Sequence, residues 1–160
     1  MTIAVTPRLL CATAVALPLA AVGAALFTQH GLDMQPCPWC VLQRVIFLAI
    51  ALAALPGLLL PGRAARGFSG GVVALLALCG VATALWQHFV AAASSSCATT
   101  LADRIVRGLG LDEALPAVFA AYASCAEAKA TLLGVPYEFY SLALFVVLGA
   151  GAVVLLRGRR

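Results

Sequence analysis

The stretch WCVLQRVIFLAIALAALPGLLL, residues 39–60, decides the fold, because it is apolar throughout except for Gln43 and Arg44 near its start. About 20 such residues in a row allow a helix to cross the ~30 Å hydrocarbon core of a bilayer. A chain in lipid must satisfy its backbone hydrogen bonds internally, which a single segment can do only as a helix. We therefore predict a membrane-spanning helix over residues 39–60.

Three further apolar stretches are long enough to span a membrane, at residues 9–27, 70–92 and 139–156. The chain is 64% hydrophobic and only 10% charged, so it has too few charges to cover the surface of a soluble domain. We predict one all-α membrane domain, residues 1–160, formed by a bundle of four transmembrane helices. Its connections are residues 28–38, residues 61–69, where Gly62 and Gly67 suit a tight turn, and the long segment 93–138.

The charged residues predict the orientation of this bundle. One side of the membrane carries six arginines and no acidic residue: Arg8, Arg63, Arg66, Arg157, Arg159 and Arg160. Because basic residues mark the cytoplasmic side, both termini are expected in the cytoplasm, and loops 28–38 and 93–138 are expected outside. The first span could instead be a signal peptide, but its apolar run exceeds the usual length of about 7–15 residues. In a soluble protein the net charge of +4 would suggest an anionic partner, but here the placement of the charges is more informative than their sum, and no nucleic-acid partner is expected.

The motif Cys37-Pro38-Trp39-Cys40 lies at the outer mouth of the second span. Proline suits the first turn of a helix, where its missing N–H costs nothing. Unpaired backbone N–H groups in that turn stabilise a thiolate, which is the reactive form of cysteine. The motif predicts a redox-active pair, although a static disulfide or half of a metal site has the same spacing.

Two further side chains could serve such a pair. Arg44 is four residues after Cys40 and shares its helix face, so it could stabilise the thiolate and bind a carbonyl oxygen of an electron acceptor. It could also extend to the outer headgroups. His88, near the outer end of the third span, could bind a quinone oxygen or manage protons, or it could be an ordinary interfacial residue beside Trp86.

A second pair of cysteines, Cys97 and Cys125, lies in the long outer loop. Taken alone, it suggests a structural disulfide of the kind common outside the cytoplasm. Together with the CxxC motif on the same side, it favours a relay in which thiolate attack moves a disulfide from one pair to the other. A four-cysteine zinc site is disfavoured, because such sites use two closely spaced pairs. We assign Cys11 and Cys79, which lie within spans, as structural.

Residues 115–123 of the long loop are apolar but too short to span the membrane. They predict a short horizontal helix on the membrane surface, which would hold Cys125 near Cys37. A short helix buried within the loop is the alternative.

Taken together, these residues resemble the DsbB family of bacterial disulfide-bond formation proteins. The resemblance covers nearly the whole chain and rests on Gln29-His30, Pro36-Cys37-Pro38-Trp39-Cys40, Arg44, Gln87-His88, Cys97, Val118-Phe119, Ser124-Cys125-Ala126-Glu127 and Leu133-Gly134. One departure concerns the stretch that opens the last span, where family members often carry a tryptophan. Here that stretch reads Pro136-Tyr137-Glu138-Phe139-Tyr140.

The resemblance implies a function and a role for each candidate residue. Members of the family reoxidise DsbA, a periplasmic thioredoxin-fold oxidant, and pass its electrons to quinone in the bacterial inner membrane. By this resemblance Cys97 forms the mixed disulfide with the partner, and Cys125 then exchanges with Cys37. Cys40 contacts the quinone, Arg44 stabilises it, and His88 lies near it.

The resemblance also implies an exchangeable quinone, ubiquinone or menaquinone, as cofactor. DsbA is a strong oxidant at about −120 mV, so thiol buffers regenerate it only with difficulty. A quinone lies outside the thiol pool, dissolves in the bilayer and takes up two electrons and two protons.

Three alternatives remain open from the sequence. A thiol oxidoreductase of the vitamin K epoxide reductase type would place the loop pair before the CxxC motif, the reverse of the order here. A specialised DsbB-like paralogue could serve a single client. A non-enzymatic four-span scaffold, with Cys97 and Cys125 as a structural clasp, would leave the CxxC motif and Arg44 without a role.

Overall fold

The computed structural model describes residues 6–93, 99–128, 131–132 and 134–158. Within these residues, four helices are long and apolar enough to cross a membrane, which confirms the predicted all-α bundle. They are α1 (Pro7–Gly31), α2 (Pro38–Leu59), α3 (Arg63–Phe89) and α7 (Tyr137–Arg157). The helices α4 to α6 are short and lie in the loop between α3 and α7.

The connection between α2 and α3 is shorter than the sequence suggested. The third helix begins at Arg63, so most of the predicted turn at residues 61–69 is helical. Within this connection Gly62 has the positive φ, +121°, that the reversal of the chain requires. Gly67 is a buried residue within α3 and not part of a turn.

Helix α3 packs along both α2 and α7, and α1 packs chiefly along α2. At the centre, the rings of Phe47 in α2 and Phe145 in α7 stack with their centroids 4.1 Å apart. Gly80 of α3 lies directly against the Phe145 ring, where any larger side chain would overlap the ring carbons. Large apolar side chains such as Leu52 and Leu78 point outward, as expected for a surface that contacts lipid.

The loop after α3, which we predict to lie outside the cytoplasm, contains α4 (Leu101–Gly108), α5 (Leu111–Ala114) and α6 (Pro116–Phe119). It ends in a small antiparallel hairpin of β1 (Thr131–Leu132) and β2 (Val135–Pro136). Val106 of α4 and Phe119 of α6 are buried together with Val41 of α2. This apolar cluster fixes the loop over the N-terminal end of α2.

The predicted helix at residues 115–123 is shorter than expected, since α6 ends at Phe119. The chain then becomes extended, and the backbone N–H groups of Tyr122 and Ala123 donate to the carbonyl oxygen of Pro36 at 3.0 and 3.3 Å. These two bonds tie the second outer loop to the first. A horizontal placement on the membrane surface stays a prediction.

Candidate functional site

Cys37 and Cys40 lie side by side where α2 begins. Cys37 is the N-cap residue of the helix and Pro38 follows it in the first turn. The Sγ of Cys37 accepts a hydrogen bond from the backbone N–H of Cys40 at 3.4 Å, and the two Sγ atoms are 2.9 Å apart with both thiols free. Helix capping, which here uses a sulfur in place of the usual oxygen, therefore brings the two reactive atoms together.

Cys125 approaches this pair from the second outer loop. Its side chain is hydrogen-bonded to that of Cys37, which is completely buried. Hydrogen bonds to Cys125 and to Cys40, together with burial, raise the pKa of the Cys37 thiol. Cys37 therefore lies in contact with both neighbouring sulfurs, the geometry that an exchange between pairs requires.

The turn that carries Cys125 is held by a reciprocal cap. The backbone N–H and the hydroxyl of Ser124 donate to Oε2 of Glu127 at 2.9 and 2.7 Å, and the Glu127 N–H donates back to the hydroxyl at 3.3 Å. These bonds hold the pKa of the Glu127 carboxyl below its ordinary value. The turn thus fixes Cys125 in a loop that is otherwise partly exposed.

Two glutamines complete the surroundings of Cys40. The Nε2 of Gln87 donates to the Sγ of Cys40 at 3.2 Å, and the Nε2 of Gln43 donates to the Oε1 of Gln87 at 2.7 Å. Both glutamines are buried between α2 and α3. Our sequence analysis assigned neither a role, although a polar side chain inside an apolar span is itself a signal of function.

Arg44 is a buried cation with neutral partners. It is 5% exposed, and its Nη1 donates to the Oε1 of Gln29 at 2.6 Å and to the carbonyl oxygen of Val118 at 2.8 Å. A longer bond of 3.4 Å joins its Nη2 to the carbonyl oxygen of Ala25. Among the described residues no carboxylate pairs with it. The charge of Arg44 therefore remains available to an anion next to it.

An inner cavity of about 270 Å³ opens beside Cys40 and Arg44. Its walls come from α1, α2, α3, α7 and the loop hairpin, and most of them are apolar, including Ala21, Phe47 and Leu144. A mostly apolar cavity with a few polar groups is typical of a site for a small organic molecule.

An outer cavity of about 340 Å³ lies nearer the loops and is lined by Asp33, Met34, Pro36 and Glu127 among others. Cys40 and Arg44 line this cavity as well as the inner one. The reactive sulfur can therefore be approached from the loop side and from within the bundle.

His88 does not line either cavity. Its Nδ1 lies 2.7 Å from Oε1 of Glu138, and its ring packs against Phe89 and Phe139. Glu138 lines both cavities. The structure thus places His88 behind a carboxylate that our sequence analysis did not single out.

The remaining cysteines differ in what the structure shows. Cys97 lies in residues 94–98, outside the described residues, so its assigned role stays a prediction. Cys11 is buried in α1 near Gly57 and Ser69, and Cys79 is exposed on α3. Both belong to the membrane-spanning helices and line neither the inner nor the outer cavity.

Comparisons with known proteins agree with the resemblance. The family described as Disulfide bond formation protein DsbB matches residues 7–155. Disulfide bond formation protein B of Aromatoleum aromaticum is 32% identical over 143 residues, 87% of this chain and 86% of that protein. Disulfide bond formation protein B 1 of Pseudomonas aeruginosa is 33% identical over 157 residues, which cover 95% of this chain and 96% of that protein. Disulfide bond formation protein B 1 of Pseudomonas syringae pv. syringae is 36% identical over 132 residues, which cover 81% of this chain and 77% of that protein. The chain therefore belongs to the DsbB family, as a multi-pass membrane protein with the thiol–disulfide oxidoreductase activity of disulfide bond formation.

Proposed function

We propose that this protein reoxidises a DsbA-like thioredoxin-fold thiol oxidant on the periplasmic side of the bacterial inner membrane and passes the electrons to membrane quinone. One observation carries the proposal: the Cys40 thiol and the unpaired cation of Arg44 line the same mostly apolar cavity. A sulfur that must only hold the fold together needs neither a buried charge nor an adjacent cavity.

The residues of the inner cavity fit a quinone headgroup. Its apolar walls suit the ring, and the guanidinium of Arg44 is a donor for a carbonyl oxygen that gains negative charge on reduction. A bound quinone would supply the oxidising power by taking up two electrons and two protons. The chain would supply the position of the thiol and the electrostatic environment.

The cysteines pass electrons inward, and disulfides outward, by thiol–disulfide exchange. The partner's dithiol reduces the Cys97–Cys125 disulfide and is itself oxidised. The sulfur of Cys125 then attacks Cys37 of the Cys37–Cys40 disulfide, and Cys40 leaves as a thiolate. The contact between Cys37 and Cys125 supports this step, because it places the loop sulfur against the inner sulfur that it attacks.

The surroundings of Cys40 favour its departure in that exchange. A thiolate leaves faster when its charge is stabilised, and the hydrogen bond from Gln87 together with the nearby charge of Arg44 stabilises it. The displaced sulfur then lies in the wall of the inner cavity, next to the proposed site of the quinone that accepts the electrons. Cys97 then attacks Cys125 of the Cys37–Cys125 bond, which re-forms the Cys97–Cys125 disulfide and releases Cys37 as the second inner thiol.

The test uses the purified protein in detergent with a reduced thioredoxin-fold partner and a short-chain ubiquinone, and afterwards a menaquinone. The loss of quinone absorbance is followed for the wild type, for Cys40→Ala and for Cys79→Ala, which removes a thiol from the lipid-facing surface of α3. We expect consumption that depends on the partner, stops in Cys40→Ala and continues in Cys79→Ala. No consumption of either quinone by the wild type would refute the proposal.

A further inference from the structure

Glu138 in the first turn of α7 is the carboxylate that lines both the inner and the outer cavity. Its side chain is 13% exposed and is paired with His88, which is 33% exposed. Burying a carboxylate in an apolar helix costs free energy, so such a residue is usually paired or has a function. The pairing with a histidine explains part of its presence, but not its place on the walls of both cavities.

The proposed reaction has a requirement for protons that the cysteines and Arg44 do not meet. Re-forming the Cys37–Cys40 disulfide from two thiols removes two electrons and releases two protons, and reduction of a quinone to a quinol takes up both. The protons must travel from the sulfurs, or from the periplasm, to the oxygens of the acceptor. Arg44 cannot carry them, because a guanidinium does not give up its proton in a protein.

The charged and titratable groups around Glu138 come from each element that packs near it. They are Cys40 and Arg44 of α2, His88 of α3, Tyr137 and Tyr140 of α7, Asp33 of the first outer loop and Glu127 of the second. Among the described residues that line the inner cavity, Glu138 is the carboxylate, and a carboxylate held by an imidazole is a common donor and acceptor of protons in catalysis. Glu138 is thus the suitable carrier among the described residues.

We infer that Glu138 is a catalytic proton carrier, which takes protons from the outer cavity and delivers them to the quinone in the inner cavity, and that His88 is the residue that positions and resupplies it. The inference rests on the proposed function and adds a route for its protons. It also gives His88 a role that fits its position, since its ring nitrogen contacts Glu138 and does not line the cavity.

The first experiment compares Glu138→Gln, which keeps the size of the side chain but cannot carry a proton, with Glu113→Gln, which removes an exposed carboxylate from the outer loop. General acid–base catalysis by a positioned side chain contributes about 10²–10⁴-fold, so we expect Glu138→Gln to reduce quinone about 100-fold more slowly at saturating quinone. Its exchange of disulfides with the partner in the absence of quinone should stay at the wild-type rate. Glu113→Gln should behave as the wild type in both assays.

A second experiment separates proton transfer from structure. In Glu138→Ala, added formate should restore much of the quinone reduction, because a small acid can occupy the vacated space and carry protons. In His88→Phe, which keeps the aromatic packing, the rate should fall and its pH dependence should change. The double variant Glu138→Gln/His88→Phe should be no slower than Glu138→Gln, since both changes interrupt one route.

Two results would overturn the inference while leaving the proposed function intact. One is a wild-type rate and pH profile in Glu138→Gln, with Cys40→Ala inactive. The other is a slow Glu138→Ala that formate does not restore and that also loses partner exchange, which would make Glu138 a structural residue. A wild-type protein that consumes no quinone would refute the proposed function and this inference together.

Discussion

The side-chain amide of Gln87 donates a hydrogen bond to the Sγ of Cys40 at 3.2 Å, from a helix other than the one that carries the cysteine. The orientation of this amide is fixed by Gln43, whose Nε2 donates to the Oε1 of Gln87 at 2.7 Å. With its oxygen occupied in this way, Gln87 can present only its N–H group to the sulfur. The pair of glutamines therefore forms a donor for Cys40 that is oriented before the thiolate appears.

We predict that Gln87→Leu slows the alkylation of Cys40 by iodoacetamide in the fully reduced protein about tenfold or more. A hydrogen bond to a charged group contributes about 1.5–3 kcal/mol, and its loss makes the reactive thiolate less favourable. Mass spectrometry of the labelled peptides separates Cys40 from the other thiols.

The matched control is Thr83→Val, one turn earlier on α3, because the Thr83 hydroxyl bonds only to the carbonyl oxygen of Gly80 in its own helix. Gln43→Leu should have a smaller effect than Gln87→Leu and should add little to it, since the two residues act through one hydrogen bond to the sulfur. Alkylation of Cys40 at the wild-type rate in Gln87→Leu would show that this bond is unimportant.

The features that the sequence predicted well are local ones. The four spans follow from runs of apolar residues, and the placement of Arg44 on the same face as Cys40 follows from helical spacing alone. The start of α3 at Arg63 was missed, because arginine and glycine there resemble a loop although they continue a helix.

The features that the sequence could not provide depend on the rotation of one helix against another. Gln43 and Gln87 are 44 residues apart, and His88 and Glu138 are 50 apart. Packing decides which face of α3 turns toward α2 or α7, and the contact of the Phe145 ring with Gly80 is one example. No local pattern reveals that His88 reaches a carboxylate and not the cavity itself.

Arg44 gives a second prediction. We expect Arg44→Met to lower kcat/KM for quinone about 10- to 100-fold, and Arg44→Lys to recover little of it. The planar guanidinium serves Gln29 and the carbonyl oxygen of Val118 together while its charge faces the cavity, and a lysine ammonium cannot reproduce that geometry.

The measurement varies quinone at a fixed, saturating concentration of the reduced partner. Arg104→Gln, which removes an exposed arginine from α4, is the control and should leave kcat/KM unchanged. Full activity in Arg44→Lys would mean that positive charge alone is sufficient, and that the several N–H donors of the planar guanidinium are not needed.

The contact between Cys37 and Cys125 gives a third prediction. In the double variant Cys40→Ala/Cys97→Ala, each of these two cysteines has lost its other partner, while the contact between them is kept. Mild oxidation should then form the Cys37–Cys125 disulfide in nearly all molecules, because the bonds from Tyr122 and Ala123 to Pro36 already hold the loops together.

Peptide mapping without reduction identifies this bond, and Cys11 and Cys79 in the same molecules are the internal controls that should remain as thiols. A product in which Cys125 stays free, or joins a cysteine of a second molecule, would contradict the arrangement of the loops and the exchange derived from it.

The last prediction concerns the packing that brings Glu138 to the site. Gly80→Ala places a methyl group against the ring of Phe145, whereas Gly71→Ala, on the exposed face of the same helix, meets nothing within 4 Å. Overpacking a tight contact costs about 1–3 kcal/mol, so Gly80→Ala should lose its helical circular dichroism at a lower temperature in detergent than the wild type, and Gly71→Ala should not. Because Phe145 lies two helical turns beyond Glu138 on α7, a shift of that helix also moves the Glu138 carboxylate, and quinone reduction by Gly80→Ala should fall before the protein unfolds. Equal melting temperatures for the two variants would show that α3 and α7 can separate without loss, and that the position of Glu138 is set by its bond to His88 instead.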